Sequence, residues 1–259
     1  MKSILVTGLA LICAVAAQAQ IKHDMIEYKD GDTVLEGYLA YNPSTEGRRP
    51  GVLIVHQWKG LTEYEKGRAD MLAELGYTAF ALDIYGKGIR PKDTQEAGAQ
   101  AGKYKKDRAL LRQRAQAGLA VLKGQATVDP ARVAAIGYCF GGTTVIELAR
   151  SGADIAGVVS FHGGLDSPKP EDGKNIKCKV LALHGADDPF VPAKDLAAFE
   201  EEMRQARVDW QLIKYGGAVH SFTEKNAAAN RLAGAAYNEN ADRRSWEAMK
   251  GFFAEIFRR

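Results

Sequence analysis

The sequence predicts a single α/β domain on a mostly parallel central sheet, with an N-terminal β-hairpin and helices on both faces. Three observations predict it. Short continuous apolar runs such as GVLIVH (51–56) and KVLALHG (179–185) recur along the chain, the pattern of strands buried on both faces. Amphipathic helical stretches separate them, so strand and helix alternate. No repeat, low-complexity segment or linker divides the chain.

The elements follow in order. Residues 1–19 read as a signal peptide: Lys2 is the positive start, Ile4 to Ala17 is apolar, and Ala17-Gln18-Ala19 is a small-x-small cleavage pattern. The domain is then expected over 20–259, exported to the periplasm or secreted. MIEYKDGDTVLEGYLAY (25–41) is a hairpin turning at Asp30-Gly31. GVLIVH is a buried strand, and Thr62 with Glu65 forms a capping box for a helix ending at Gly76. YTAFALD (77–83) is a strand. Ile84 to Lys103 reads as a loop with a surface helical segment, and Arg108 to Lys123 as an amphipathic helix. RVAAIGY (132–138) is a strand, followed by a helix from about Phe140 to Arg150. IAGVVSFHG (155–163) and KVLALHG are strands, Ala193 to Ala206 a helix, DWQLIKYGG (209–217) a strand, and Ala241 to Phe257 the closing helix.

Composition excludes several functions. The 259-residue chain carries a formal charge of +3. Its densest basic run, Lys103 to Arg114, reads as a solvated helix face, which argues against a nucleic-acid partner. No second stretch is long and apolar enough for a membrane span. Cys139 and Cys178 show no CxxC or Cys/His spacing for zinc, and no metal or organic cofactor is expected. Cys178 opens a buried strand and Cys139 sits in a glycine-bound turn, which argues against a bridge between them.

In open parallel sheets, ligands bind beyond the carboxyl ends of the strands. The loops after His56, Asp83, Tyr138, His162, Gly185 and Tyr215 should therefore meet at one edge. There Gly137-Tyr138-Cys139-Phe140-Gly141 has the spacing of a nucleophile elbow, G-x-S-x-G, with sulfur in place of oxygen. Side chains two residues either side of the nucleophile would collide with the turn, and glycine removes them. The helix start behind Cys139 favours a thiolate.

A nucleophile needs a base, and the base needs an orienting acid. Acid then histidine is the expected chain order. HGADDPFVP supplies Asp187 and Asp188, with Asp188 preferred and Asp187 assigned to the turn; GGAVHSF supplies His220 as the base. His56, His162 and His184 also end strands and read as lining or hydrogen-bonded residues. An oxyanion hole needs two backbone N–H donors, expected from Phe140 and from the region of Gln57 and Trp58.

These residues resemble the dienelactone hydrolase family of α/β-hydrolases over nearly the whole chain after residue 19. The likeness runs through VLIVHQWKGL, LGYTAFALDIYG, VAAIGYCFGG, LALHGADDPFVP, HSF and AYNENADRRSWEAMKGFF. The resemblance implies Cys139 as nucleophile, Asp188 as acid, His220 as base, and Trp58 and Phe140 as oxyanion donors. Gln57, Tyr85, Ser221 and Phe222 are expected at the substrate pocket. The family commonly has glutamate, which assists thiol deprotonation, at the position of Gln57. Glutamine cannot take that proton, so His220 and the helix start are left to activate Cys139. The family's carboxylate-binding arginines have no clean match here; Lys59, Lys87 and Arg90 lie on candidate rim loops. The expected activity is hydrolysis of a small ester or lactone through a thioester acyl-enzyme. The competing readings are a non-catalytic domain or a thiol-redox protein on the same scaffold.

Overall fold

The computed structural model describes residues 20–258. The signal-peptide reading of residues 1–19 lies outside them. Eight strands form one sheet in the order β1-β2-β4-β3-β5-β6-β7-β8. β1 (Lys22–Asp30) and β2 (Thr33–Tyr41) form the hairpin. β2 pairs antiparallel with β4 (Thr78–Leu82). β3 (Arg49–Val55), β4, β5 (Val128–Tyr138), β6 (Gly157–Phe161), β7 (Lys179–Gly185) and β8 (Trp210–Tyr215) are mutually parallel.

The parallel strands read as unbroken apolar runs because both faces are covered. Along β3, Leu53 and Val55 enter one core and Val52 and Ile54 the other; Val180 and Ala182 alternate with Leu181 and Leu183 along β7 in the same way. α1 (Glu63–Glu74) and α6 (Glu239–Ile256) cover one face through Leu72, Met249 and Phe253. α2 (Thr94–Lys106), α3 (Arg108–Lys123), α4 (Phe140–Arg150) and α5 (Ala193–Ala206) cover the other through Tyr104, Leu111, Ile146 and Phe199. Each such aliphatic or aromatic side chain stabilises the fold by about 1.5–3 kcal/mol.

The expected capping box of α1 is present, with both reciprocal bonds between Thr62 and Glu65. Two elements differ from expectation. β5 begins at Val128 rather than Arg132, because Val128 and Asp129 pair with Arg49 and Pro50. α2 is a full helix reaching Lys106, capped by Asp93 and anchored by buried Tyr104, whose ring stacks on Tyr85 at 5.5 Å. Among the described residues no helix is long and apolar enough to cross a membrane.

Candidate active site

β5 ends at Tyr138 and α4 begins at Phe140, leaving Cys139 between them with φ 54° and ψ −113°. A positive φ is costly for a residue with a side chain and persists only when its surroundings impose it. Here they do. The Cys139 N–H lies 3.0 Å from Phe161 O and 3.1 Å from His162 Nδ1, bonding to both acceptors. A Cβ at position 137 would stand 2.0 Å from Gly141 O, and one at position 141 would stand 2.1 Å from Val55 O. Both flanking glycines are therefore demanded by backbone packed against backbone.

The loops beyond β7 and β8 bring two more side chains to the sulfur. His220 Nε2 lies 3.0 Å from Cys139 Sγ, and His220 Nδ1 lies 2.8 Å from Asp188 Oδ2. The other Asp188 oxygen accepts the Phe190 N–H at 2.9 Å. Asp187 instead accepts the Gly217 N–H at 2.9 Å, tying the β7 loop to the β8 loop. His220 is pinned through its backbone, donating to Gly234 O at 3.1 Å and accepting from Ala236 N–H at 3.0 Å. Phe190 packs edge-on against the His220 ring at 5.3 Å.

The electrostatics favour a thiolate–imidazolium pair. Burial opposes the Cys139 thiolate, but His220, Lys105 and the Phe140 N–H outweigh it and hold the thiol below its ordinary value. Burial also opposes charge on His220, but the Cys139 thiolate and Asp188 raise it to about 10. Such a pair can attack an electrophilic carbon and later return a proton.

A cavity of about 300 Å³ opens beside the sulfur, with Trp58, Phe190, Val191 and Leu232 among its walls. Of the pocket residues expected from the sequence, Ser221 and the oxyanion candidate Trp58 reach this cavity. Gln57, Tyr85 and Phe222 lie behind it, all buried. Gln57 donates its N–H to Glu65 at 3.0 Å, and its side-chain Oε1 is buried without a hydrogen-bond partner among the described residues. The Tyr85 hydroxyl donates to Trp58 O at 2.9 Å, and Phe222 packs edge-on against His162 at 5.0 Å. Phe140, the second oxyanion candidate, follows Cys139 directly as the first residue of α4. Of the rim candidates, Lys59 bonds Asn230, Lys87 pairs with Glu27, and Arg90 donates to Leu61 O.

Lys105, Phe190 and Leu232 line the cavity without a sequence signal. Lys105 is the one lysine or arginine of the lining, yet in sequence it sits in a run that reads as solvated helix. The other strand-ending histidines, His56, His162 and His184, are buried. His162 and His56 are fully hydrogen-bonded, whereas His184 Nδ1 has no partner. Both Cys139 and Cys178 are free thiols, and no group of three or more potential metal ligands occurs among the described residues.

Comparison with known proteins agrees with this architecture. The profile of the dienelactone hydrolase family matches residues 35–257. The solved structure of a dienelactone hydrolase-like promiscuous phosphotriesterase from metagenomic libraries is 40% identical, with a TM-score of 0.88 over 92% of this chain and 99% of that one. A structure designated m3DLH is 43% identical, with a TM-score of 0.89 over the same shares. A Bradyrhizobium protein described as a probable 2-oxo-3-(5-oxofuran-2-ylidene)propanoate lactonase is 30% identical over 77% of this chain and 84% of its own length.

Proposed function

This chain belongs to the dienelactone hydrolase family, and on that premise we propose that it hydrolyses small esters or lactones with Cys139 as nucleophile, His220 as general base and acid, and Asp188 as orienting carboxylate. The observation that carries the reading is the unbroken chain from Cys139 Sγ to His220 Nε2 at 3.0 Å and from His220 Nδ1 to Asp188 at 2.8 Å.

The Cys139 sulfur attacks the substrate carbonyl carbon and forms a C–S bond. The carbonyl oxygen becomes an oxyanion, stabilised by the backbone N–H groups of Trp58 and Phe140. As the intermediate collapses, the C–O bond breaks, and the departing oxygen takes the proton held on His220 Nε2. The product is a thioester and a free alcohol, or a hydroxyl still tethered to the acyl chain when the substrate is a lactone. Water, giving its proton to His220, then attacks the thioester and releases the acid, and the thiolate re-forms its pair with the imidazolium. Gln57 takes no part in these proton transfers, because an amide cannot accept the thiol proton. The apolar walls Trp58, Phe190 and Leu232 favour a compact, mostly apolar acyl group.

A thiol-redox role has less support. Cys178 precedes β7, and its burial pushes the thiol up to about 12, which makes it a poor resolving partner. Export rests on residues 1–19 alone, and mass spectrometry of the protein recovered from culture should find Gln20 at the amino terminus. The deciding experiment is turnover of p-nitrophenyl acetate by residues 20–259 under reducing conditions. Cys139→Ala should abolish turnover, and Asp188→Asn should lower it by roughly 10³- to 10⁴-fold. Full turnover by Cys139→Ala would sink the reading.

A further inference from the structure

His56 closes β3 and is fully buried, yet the mechanism above assigns it no step. Its bonds define which way round it works. Nε2 accepts the Ile84 N–H at 3.1 Å, so in the neutral ring the proton sits on Nδ1. Nδ1 lies 2.5 Å from Gln57 O and donates to that carbonyl. Gly60 N–H donates to the same oxygen at 3.2 Å.

The Gln57 carbonyl and the Trp58 N–H belong to one planar trans peptide, in which C=O and N–H point in opposite directions. Clamping the oxygen towards His56 therefore turns the Trp58 N–H away from His56. The peptides on either side are held as well. The Gln57 N–H is bound by Glu65 at 3.0 Å, and Trp58 O by the Tyr85 hydroxyl at 2.9 Å. The His56 ring packs edge-on against Tyr85 at 4.7 Å and stacks on Phe140 at 5.8 Å. It thus touches the residue of one oxyanion donor and orients the peptide of the other.

We propose that His56 is a positioning residue that presets the Trp58 N–H as an oxyanion donor before substrate arrives. The inference rests on the proposed role of Cys139. A preset donor needs no reorganisation during reaction, which is what gives an oxyanion hole its value. Burial keeps the ring neutral, bringing His56 down to about 4. Asp83 stands 3.9 Å from Nε2 and spends its oxygens on the N–H groups of Tyr85 and Gly86 at 3.0 and 3.2 Å.

Two reactions of the same sulfur separate this role from a merely structural one. Acylation by p-nitrophenyl acetate develops an oxyanion. Alkylation by iodoacetamide displaces iodide and develops none. His56→Leu should lower kcat on p-nitrophenyl acetate by about 10²- to 10³-fold with little change in KM, while Cys139 alkylation stays within about twofold of wild type. His56→Asn, whose amide nitrogen takes the place of Nδ1 and can still donate to Gln57 O, should recover most of the loss. Should His56→Leu fail to fold, His56→Gln serves in its place, because its longer amide reaches the position of Nε2 and can keep Ile84 but not Gln57. Hydrolysis unchanged in His56→Leu would overturn the proposal, as would alkylation falling in step with hydrolysis, or His56→Asn being no better than His56→Leu. Failure of the underlying reading shows separately, as turnover surviving in Cys139→Ala.

Discussion

The His162 ring accepts the Cys139 backbone N–H on Nδ1 at 3.1 Å, so the histidine behind Cys139 holds it by its main chain rather than its sulfur. The neutral ring must then carry its proton on Nε2, which lies 2.8 Å from Thr223 Oγ1. Thr223 meets the Tyr64 hydroxyl at 2.6 Å and accepts Arg68 through its carbonyl at 3.0 Å. Burial pushes His162 well below the usual histidine range, in keeping with a neutral ring. A strained elbow is thereby fastened to α1 and the loop after His220.

Replacing this ring should release the elbow. His162→Leu removes one of the two partners of the Thr223 hydroxyl and one of the two acceptors of the Cys139 N–H, at a cost of about 1–3 kcal/mol. Thermal denaturation should report that loss. The kcat for ester hydrolysis should fall with it, because Cys139 no longer keeps φ near 54°. Wild-type kcat in a folded His162→Leu protein would show that the other bonds hold the elbow alone.

The Cys139–His220 pair predicts a two-limbed pH profile. The thiol titrates below the 9.0 of an unperturbed cysteine, so iodoacetamide alkylation should rise with pH through a midpoint under that value. In His220→Ala the imidazolium is gone while burial remains, so the midpoint should move upward. Hydrolysis of alkyl esters, whose leaving group needs a proton, should decline again near pH 10 as His220 loses its proton. An alkylation midpoint identical in both proteins would contradict the pairing.

Gly141 tests the close approach of α4 to β3. A methyl group there would stand 2.1 Å from the Val55 carbonyl oxygen, and backbone cannot swing aside as a side chain can. Gly141→Ala should therefore displace the helix start that carries the Phe140 N–H. Displacement on the order of 1 Å costs about 10²-fold in rate. Steady-state kinetics on p-nitrophenyl acetate would read this, with circular dichroism to show that the sheet survives.

Arg150 tests the opposite end of α4. Its fully buried guanidinium binds Glu202 at 2.8 and 2.6 Å and Glu147 at 2.9 Å. Removing it strands the buried Glu202 carboxylate, while Glu147 keeps Arg112 at 2.8 Å, so Arg150→Ala should cost about 3–5 kcal/mol. At about 2–4 °C per kcal/mol for a domain of this size, the fall in Tm is readily measured. Arg150→Met, lacking the charge but filling much of the space, should leave the same deficit, because the defect is unpaired charge rather than a void.

The amino-acid sequence by itself determined the alternation of strand and helix, because burial on both faces writes itself as unbroken apolar runs. It also determined the elbow, because a turn with no room at positions 137 and 141 can accept only glycine. The order of Cys139, Asp188 and His220 was legible for the same local reason, each following a recognisable strand. Only the tertiary structure decided what surrounds them. Lys105 reads as part of a solvated basic face until the packing of α2 turns it into the cavity. Gln57 and Tyr85 sit where a pocket was expected, yet their bonds to Glu65 and Trp58 O make them the frame of the loop after β3. His56 and His162 look alike as strand-ending histidines, and nothing local reveals which ring nitrogen accepts and which donates. A hydrogen bond depends on partners 23 or 28 residues away in the chain, such as Cys139 with His162 and His56 with Ile84. Apolar patterning records only which face a residue buries, so the direction of a peptide plane is settled when the loops close on one another.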